Sequence, residues 1–328
     1  MKAIHLTDYG DPLQNLVLVD IPEPTAPGPT EALIRLEYSP IDPSDLLLAR
    51  GMYFLRPQTP AVVGGQGIGL VEAIGSAVTS VRVGDRVSLP FGTYAWAELV
   101  KAEAKELFVV SPLLDVQQAA MIAINPPTAI LLLTEFVDLQ AGDWVVLNAA
   151  NSSVANTIIA VAKARGLKTL GIVRRPDAVP AARAAGADVV LVESPGLAEE
   201  VSRATGGANI KLGLDAVGGE AAGTLVKVLG FDSHLVSYAV LSFQPLVIDG
   251  FAFIYKRMKM HGFWLFLPQY LDKLRGAKQE AAALMLAGQL NVPIAATYAL
   301  EQISEAVAHT QRGEKVLLSF ERQGQVPL

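Results

Sequence analysis

Hydrophobic positions in the first third of the chain recur in short runs with little helical spacing. Residues 1–6, 16–20, 31–38 and 69–74 read as strands, separated by Pro22-Glu23-Pro24 and by the proline-bounded stretch 40–43. Gly84-Asp85-Arg86-Val87 reads as a turn into another strand, and 94–100 as one more. Strands that recur with turns but without long helical segments between them predict a barrel-like all-β domain. After Pro127 the pattern changes. Short apolar runs at 144–147, 169–173, 189–192, 211–215 and 234–238 alternate with helical spacing at 154–165, 176–185, 197–205 and 221–229. That alternation predicts parallel βαβ units covered on both faces. Such a sheet takes its ligand beyond the carboxyl ends of its strands, where strand order reverses. An aromatic-rich strand is expected at 258–266, a helix at 270–289, and short elements from there to 320.

Composition narrows the class. With 328 residues the chain is long enough for about two domains. Lys and Arg number 26 against 32 Asp and Glu, a formal charge of −6, which leaves no basic footprint for a nucleic-acid partner. Hydrophobic residues make up 51% and charged residues 18%, so the chain is not intrinsically disordered. It has no cysteine, which removes disulfides, thiolate metal sites and cysteine nucleophiles together. The most apolar stretch, 119–137, is interrupted by Asn125-Pro126-Pro127 and holds Glu135, short of the ~20 uninterrupted apolar residues of a membrane span. The first residues read as a strand and not as a signal peptide. The expectation is a cytoplasmic protein with no membrane partner.

The turn after the first α/β strand is where a dinucleotide-binding domain cradles its pyrophosphate. It reads Leu147-Asn148-Ala149-Ala150-Asn151-Ser152-Ser153-Val154-Ala155, and there is no glycine between Gly142 and Gly166. A phosphate needs the free N–H groups of a helix N-terminus and little side-chain bulk in the way. Ala and Ser are the smallest replacements for Gly, and a serine hydroxyl can itself donate. An ordinary Asn/Ser helix cap would look the same. The next strand ends in Arg174-Arg175-Pro176, with no acid to receive ribose hydroxyls. Two guanidiniums suit the 2′-phosphate of NADP through forked, charge-assisted bonds. An exposed Arg pair at a helix start is the alternative.

Several stretches, in order along nearly the whole chain, give a more specific likeness. They are Ser39-Pro40-Ile41-Asp42-Pro43-Ser44-Asp45, Gly51-Met52-Tyr53, Pro60-Ala61-Val62, Asn125-Pro126-Pro127-Thr128-Ala129, Asn148-Ala149-Ala150-Asn151-Ser152, Asp215-Ala216-Val217-Gly218-Gly219 and Gly262-Phe263-Trp264-Leu265. Together they resemble the zinc-free branch of the medium-chain dehydrogenase/reductase superfamily, which holds quinone oxidoreductases and mitochondrial-type trans-2-enoyl thioester reductases. The resemblance implies an α/β fold with a GroES-like β-barrel catalytic domain, 1–122 with 267–328, and a Rossmann doubly wound parallel-sheet domain, 123–266, binding NADPH. Where the zinc-dependent branch has its early Cys and its Gly-His-Glu, this chain reads Ile41-Asp42-Pro43 and Gly65-Gln66-Gly67. Its four histidines, His5, His234, His261 and His309, are not at ligand spacing.

By the same resemblance Tyr53 is the catalytic group, its phenol hydrogen-bonding a developing enolate oxygen or passing a proton. Packing beneath Phe54 is the alternative for Tyr53. Asp42 lies with it on the catalytic side. Thr128, Asn151, Ser152, Ser153, Val154, Arg174, Arg175 and Lys315 fall on cofactor-binding positions, and Phe54, Gln66 and Trp264 on the substrate pocket. Helix capping would equally suit Thr128, a buried strand contact Trp264, and a solvated surface charge Lys315. The strand near Trp264 and Phe266 is also where relatives pair into dimers, so a homodimer is expected. Relatives usually carry Asn for Asp42, Glu for Gln66, and Gly for Ser153 and Ala155. The function expected first is NADPH-dependent reduction of an activated C=C bond, most naturally a 2-enoyl thioester. Asp42 and Gln66 keep an NADPH:quinone oxidoreductase in view. The glycine-free loop leaves open a non-catalytic nucleotide-binding scaffold or redox sensor.

Overall fold

The computed structural model describes residues 1–320 and divides them into two compact units, Met1–Ile124 with the chain from Pro293 onward, and Asn125–Val292. In the first unit, Glu31–Pro40 is the central strand. Its pattern alternates because Ala32, Ile34 and Leu36 face the core while Glu31, Leu33, Arg35 and Glu37 stay partly exposed. Each of the larger pair, Ile34 and Leu36, gains about 1.5–3 kcal/mol from burial. This strand pairs antiparallel with Ile68–Ile74, Leu99–Glu103 and Val316–Ser319 in a seven-stranded sheet. A three-stranded sheet of Leu16–Asp20, Lys2–Leu6 and Ala61–Val62 shares its core. The strand expected at 94–100 forms later, at Leu99–Glu103. The reason is Trp96, fully buried, whose backbone donates to Val63 and whose ring lies where any side chain on Gly64 would sit.

The second unit holds six parallel strands: β1 (Trp144–Leu147), β2 (Lys168–Val173), β3 (Val189–Val192), β4 (Leu212–Asp215), β5 (His234–Ser237) and β6 (Lys259–Gly262). Their spatial order is β3-β2-β1-β4-β5-β6, so strand order reverses beside β1. This is the doubly wound dinucleotide-binding order. Two helices matter below, α1 (Asn125–Leu132) and α2 (Ser153–Ala164). All of α1 is buried, and α2 buries Ala155, Ile158, Ile159 and Ala162 on one face.

Three expectations change here. The run 258–266 is a strand only as far as Gly262; Phe263 and Leu265 then turn into the core, with the Phe263 ring 5.0 Å from Tyr270. The helix expected at 270–289 is two pieces, Pro268–Leu271 and Leu274–Leu286. Residues 267–292 also group with the second unit instead of the first. Helix Leu274–Leu286 packs against α1, and Arg165–Glu280 at 2.7 Å and Lys273–Glu135 tie the segment there. The end of the expected first domain, 321–328, lies outside the described residues. Among the described residues no helix is long and apolar enough to cross a membrane.

Gly171, in the middle of β2, is needed for the turn after β1 to close. A Cβ there would stand 2.7 Å from the Cβ of Ala150, and both atoms are fixed to backbone. Gly171→Ala is expected to lower stability by about 1–3 kcal/mol in denaturant titration.

Candidate functional site

In the first unit the topology gathers three of the residues singled out in the sequence. Strand Val316–Ser319 pairs with the end of Glu31–Pro40, and the Ile41 amide donates to Val316 O at 3.2 Å, so Lys315 arrives beside Asp42. Tyr38 pairs with Ile68, which brings Gln66 alongside; Ser39 Oγ donates to its carbonyl at 2.5 Å. Asp42 Oδ1 then accepts from Lys315 Nζ, and Asp42 Oδ2 from Gln66 Nε2 at 2.6 Å. The two charged side chains are only 3% and 4% exposed. Lys315 therefore has its ammonium in a buried ion pair, not on a solvated surface.

Asp42 is also the N-cap of helix Pro43–Ala49, with Pro43 in the first turn. Asp45 closes the cap from inside, its Oδ2 accepting the Asp42 amide at 2.7 Å and its Oδ1 the Gly65 amide at 2.8 Å. Burial, and next the Asp42 charge, push the Asp45 carboxyl up to about 7 against the two amide donors and Lys315. The sequence reading gives Asp45 no role. An acid three residues after the N-cap aspartate was the available signal. Gln66 Oε1 is buried with no partner among the described residues. Tyr53 follows the same helix, half-buried against the core, while Phe54 is 79% exposed.

In the second unit the carboxyl ends of β1, β4 and β5 meet at Asp215, which is fully buried. Its Oδ1 accepts from Asn148 Nδ2 at 2.6 Å and from the Val217 and Gly218 amides at 3.0 Å; its Oδ2 accepts from Ser237 Oγ at 3.1 Å. Asn148 Oδ1 in turn accepts the Ala216 amide at 2.8 Å. Neither side chain is given a role by the sequence reading, though both lie in the motifs that carry the likeness. The nearby Tyr238 phenol is held well above its usual range by burial and then by the Asp215 charge, and its hydroxyl has no partner among the described residues.

The glycine-free turn is strained at Ala149, which takes φ +45°. Ser152 is the N-cap of α2, its Oγ accepting the Ala155 amide at 3.2 Å. Asn151 is exposed, and Ser153 and Val154 are half-buried at the helix start. Among the described residues the Ser153 and Val154 amides have no acceptor, and the first turn of α2 contains no acid. This donor set fits a phosphate group. Arg174 and Arg175 follow β2 in the exposed bend. Arg175 makes a 3.2 Å surface pair with Asp177, and Arg174 makes none among the described residues. Thr128 sits inside buried α1, so it is not a cap. Trp264 comes after β6, its ring 5.9 Å from Phe266.

A β unit carrying a buried acid–lysine pair, and a doubly wound parallel sheet with an anion-receptive helix start, are the layout of a two-domain nucleotide-binding protein. Comparison with known proteins agrees. The family described as alcohol dehydrogenase GroES-like domain matches residues 28–111, and that described as zinc-binding dehydrogenase matches 153–280. A mitochondrial enoyl-acyl-carrier-protein reductase of Caenorhabditis elegans is 32% identical over 86% of this chain and 83% of its own length. A Bacillus thuringiensis protein named as an NADPH:quinone reductase is 26% identical, with a TM-score of 0.86 over 97% of this chain and 98% of that one. The Etr1p/NADP/crotonyl-CoA complex, 24% identical with a TM-score of 0.85 over 97% and 99%, has the same fold.

The chain belongs to the medium-chain dehydrogenase/reductase superfamily, in the branch of enoyl thioester reductases and quinone oxidoreductases. The zinc of one family description does not fit the donors. The chain has no cysteine, and no three His, Asp or Glu side chains gather to hold a metal among the described residues.

The Asp42–Lys315 pair sets a stability expectation. Lys315→Met leaves a buried carboxylate uncompensated and is expected to cost about 3–5 kcal/mol in denaturant titration. The double variant Asp42→Asn/Lys315→Met is expected to recover most of that loss.

Proposed function

We propose that the protein is an NADPH-dependent reductase of activated carbon–carbon double bonds, with a 2-enoyl thioester as its substrate class. The observation that carries this reading is the 32% identity to a mitochondrial enoyl-acyl-carrier-protein reductase across 86% of the chain. NADPH, when bound, supplies the hydride. Asn151, Ser152, Ser153 and Val154 hold its diphosphate at the start of α2, Arg174 and Arg175 its 2′-phosphate, and Thr128 and Lys315 its nicotinamide half. That hydride would be directed to the β-carbon of the substrate, leaving negative charge on the thioester oxygen, and a proton from solvent or from the Tyr53 phenol would complete the α-carbon. Tyr53 donates from its phenol to that oxygen as charge gathers there. Asp42 keeps Lys315 and Gln66 in place, and Phe54 and Trp264 contact the acyl group.

A quinone substrate is the second reading. The name of the 26%-identical Bacillus thuringiensis protein favours it, as does the buried acid at position 42. We also propose a homodimer. The expected interface strand at 263–266 is not a strand, but β6 is the edge of the sheet, and Met260, Phe251 and Tyr255 are exposed on and before it. The cysteine-free composition supports a reducing compartment, and we propose the cytoplasm.

Tyr53→Phe is expected to lower turnover of crotonyl-CoA by about 100-fold or more while leaving the NADPH dissociation constant unchanged. Replacing Arg174 and Arg175 with Ala is expected to abolish a preference for NADPH over NADH in nicotinamide-fluorescence titration. Turnover of small quinones with crotonyl-CoA inert would move the second reading to first place. Binding of NADPH with turnover of neither substrate class would leave a non-catalytic nucleotide-binding scaffold. For the dimer, light scattering should return twice the mass of one chain, and a monomer would refute it.

A further inference from the structure

We propose that Asn125 is a positioning residue for the nucleotide's diphosphate: it orients the Ser153 hydroxyl so that this hydroxyl donates to a phosphate oxygen. The inference rests on the nucleotide-binding reading above and adds to it a residue on a different helix.

Asn125 opens α1 and is buried, and its Nδ2 donates to Ser153 Oγ at 3.1 Å. A serine hydroxyl has one proton to give and two lone pairs to receive with. Asn125 fills one of the two acceptor positions of Ser153, which leaves the hydroxyl proton and a single lone pair, so the proton is directed away from Asn125. That proton has no acceptor among the described residues, and neither has the proton of Ser152, whose Oγ is occupied by the Ala155 amide. Four donors are thus uncommitted at one helix start: the Ser153 and Val154 amides and the two serine hydroxyls. The positive end of the α2 dipole lies behind them, and no carboxylate stands in the first turn.

A free serine side chain at this place would lose rotamer freedom on binding a phosphate, and in the wrong rotamer its Oγ would present a lone pair to an anion. The Asn125 amide lowers both costs by holding Oγ from behind. Asn125 is itself held. Pro126 and Pro127 set the backbone of the first turn of α1, and Thr157 Oγ1 donates to Ser153 O at 3.0 Å to steady the other partner. A glycine turn offers a phosphate bare amides and close approach; this chain replaces that with an oriented hydroxyl.

The test is NADPH titration by nicotinamide fluorescence, with thermal melting of the free protein, for the wild type, Ser153→Gly, Ser153→Ala, Asn125→Ala and Asn125→Ala/Ser153→Gly. Loss of a hydrogen bond to a charged group is expected to weaken NADPH binding about tenfold in each single variant. The double variant is expected to bind no more weakly than Ser153→Gly, because Asn125 acts through the hydroxyl. A purely structural role for Asn125 would instead give factors that multiply. Should Asn125→Ala not fold, Asn125→Asp, which keeps the shape but removes the amide donor, takes its place with the same tenfold loss expected, and wild-type affinity in that variant overturns the role of Asn125. Wild-type binding of NADPH with Ser153→Gly equal or tighter overturns this inference and leaves the nucleotide reading standing. Wild-type protein that binds neither NADPH nor inorganic pyrophosphate overturns both.

Discussion

A carboxylate taken out of water must have its lone pairs filled, and each unit is organised around one that is. In the parallel sheet Asp215 collects four donors from the carboxyl ends of β1, β4 and β5. No cation pairs with it among the described residues, so hydrogen bonds alone balance its desolvation. The consequence is that three strand ends cannot move independently, and the turn at 148–152 leaves β1 from a fixed point. In the β unit Asp42 plays the matching part with a cation and an amide as its partners, and Asp45 seals the helix that Asp42 caps.

Long-range partners also explain how an acid at position 42 and a serine at position 153 are accommodated. An acid at position 42 would be costly next to an unpaired neighbour, but Lys315 and Gln66 reach it from two other strand ends. A serine at position 153 would crowd a phosphate if its rotamer were free, but Asn125 holds it. In both cases the compensating residue is remote in sequence, 273 positions away for Lys315 and 28 for Asn125. Family membership and the local substitution are therefore compatible, because what a phosphate or an enolate oxygen requires is a donor in the right place and not a particular residue type.

The strand and helix pattern was readable where side-chain burial follows local periodicity. The parallel strands are continuous apolar runs flanked by amphipathic helices, and β1 to β5 fall where those runs lie. The reading slipped where a single residue's tertiary environment overrides the run. Trp96 ties 94–98 to the turn at Gly64 and delays the strand. Phe263 and Leu265 leave β6 because the core beside Tyr270 takes them. Residues 267–292 join the second unit because helix Leu274–Leu286 finds its apolar partner in α1, which no local pattern announces.

The sequence by itself determined the two-unit architecture, the superfamily, the glycine-free turn after β1 and the arginine pair after β2, because each is carried by spacing within a short segment or by residue type alone. Only the tertiary structure decided that Asp42, Gln66 and Lys315 form one buried cluster, that Asp215 gathers three strand ends, and that Asn125 holds Ser153. Those contacts depend on strand register and helix packing between distant segments, and the energy that selects them, the cost of an unpaired polar group away from water, does not exist until the chain is folded.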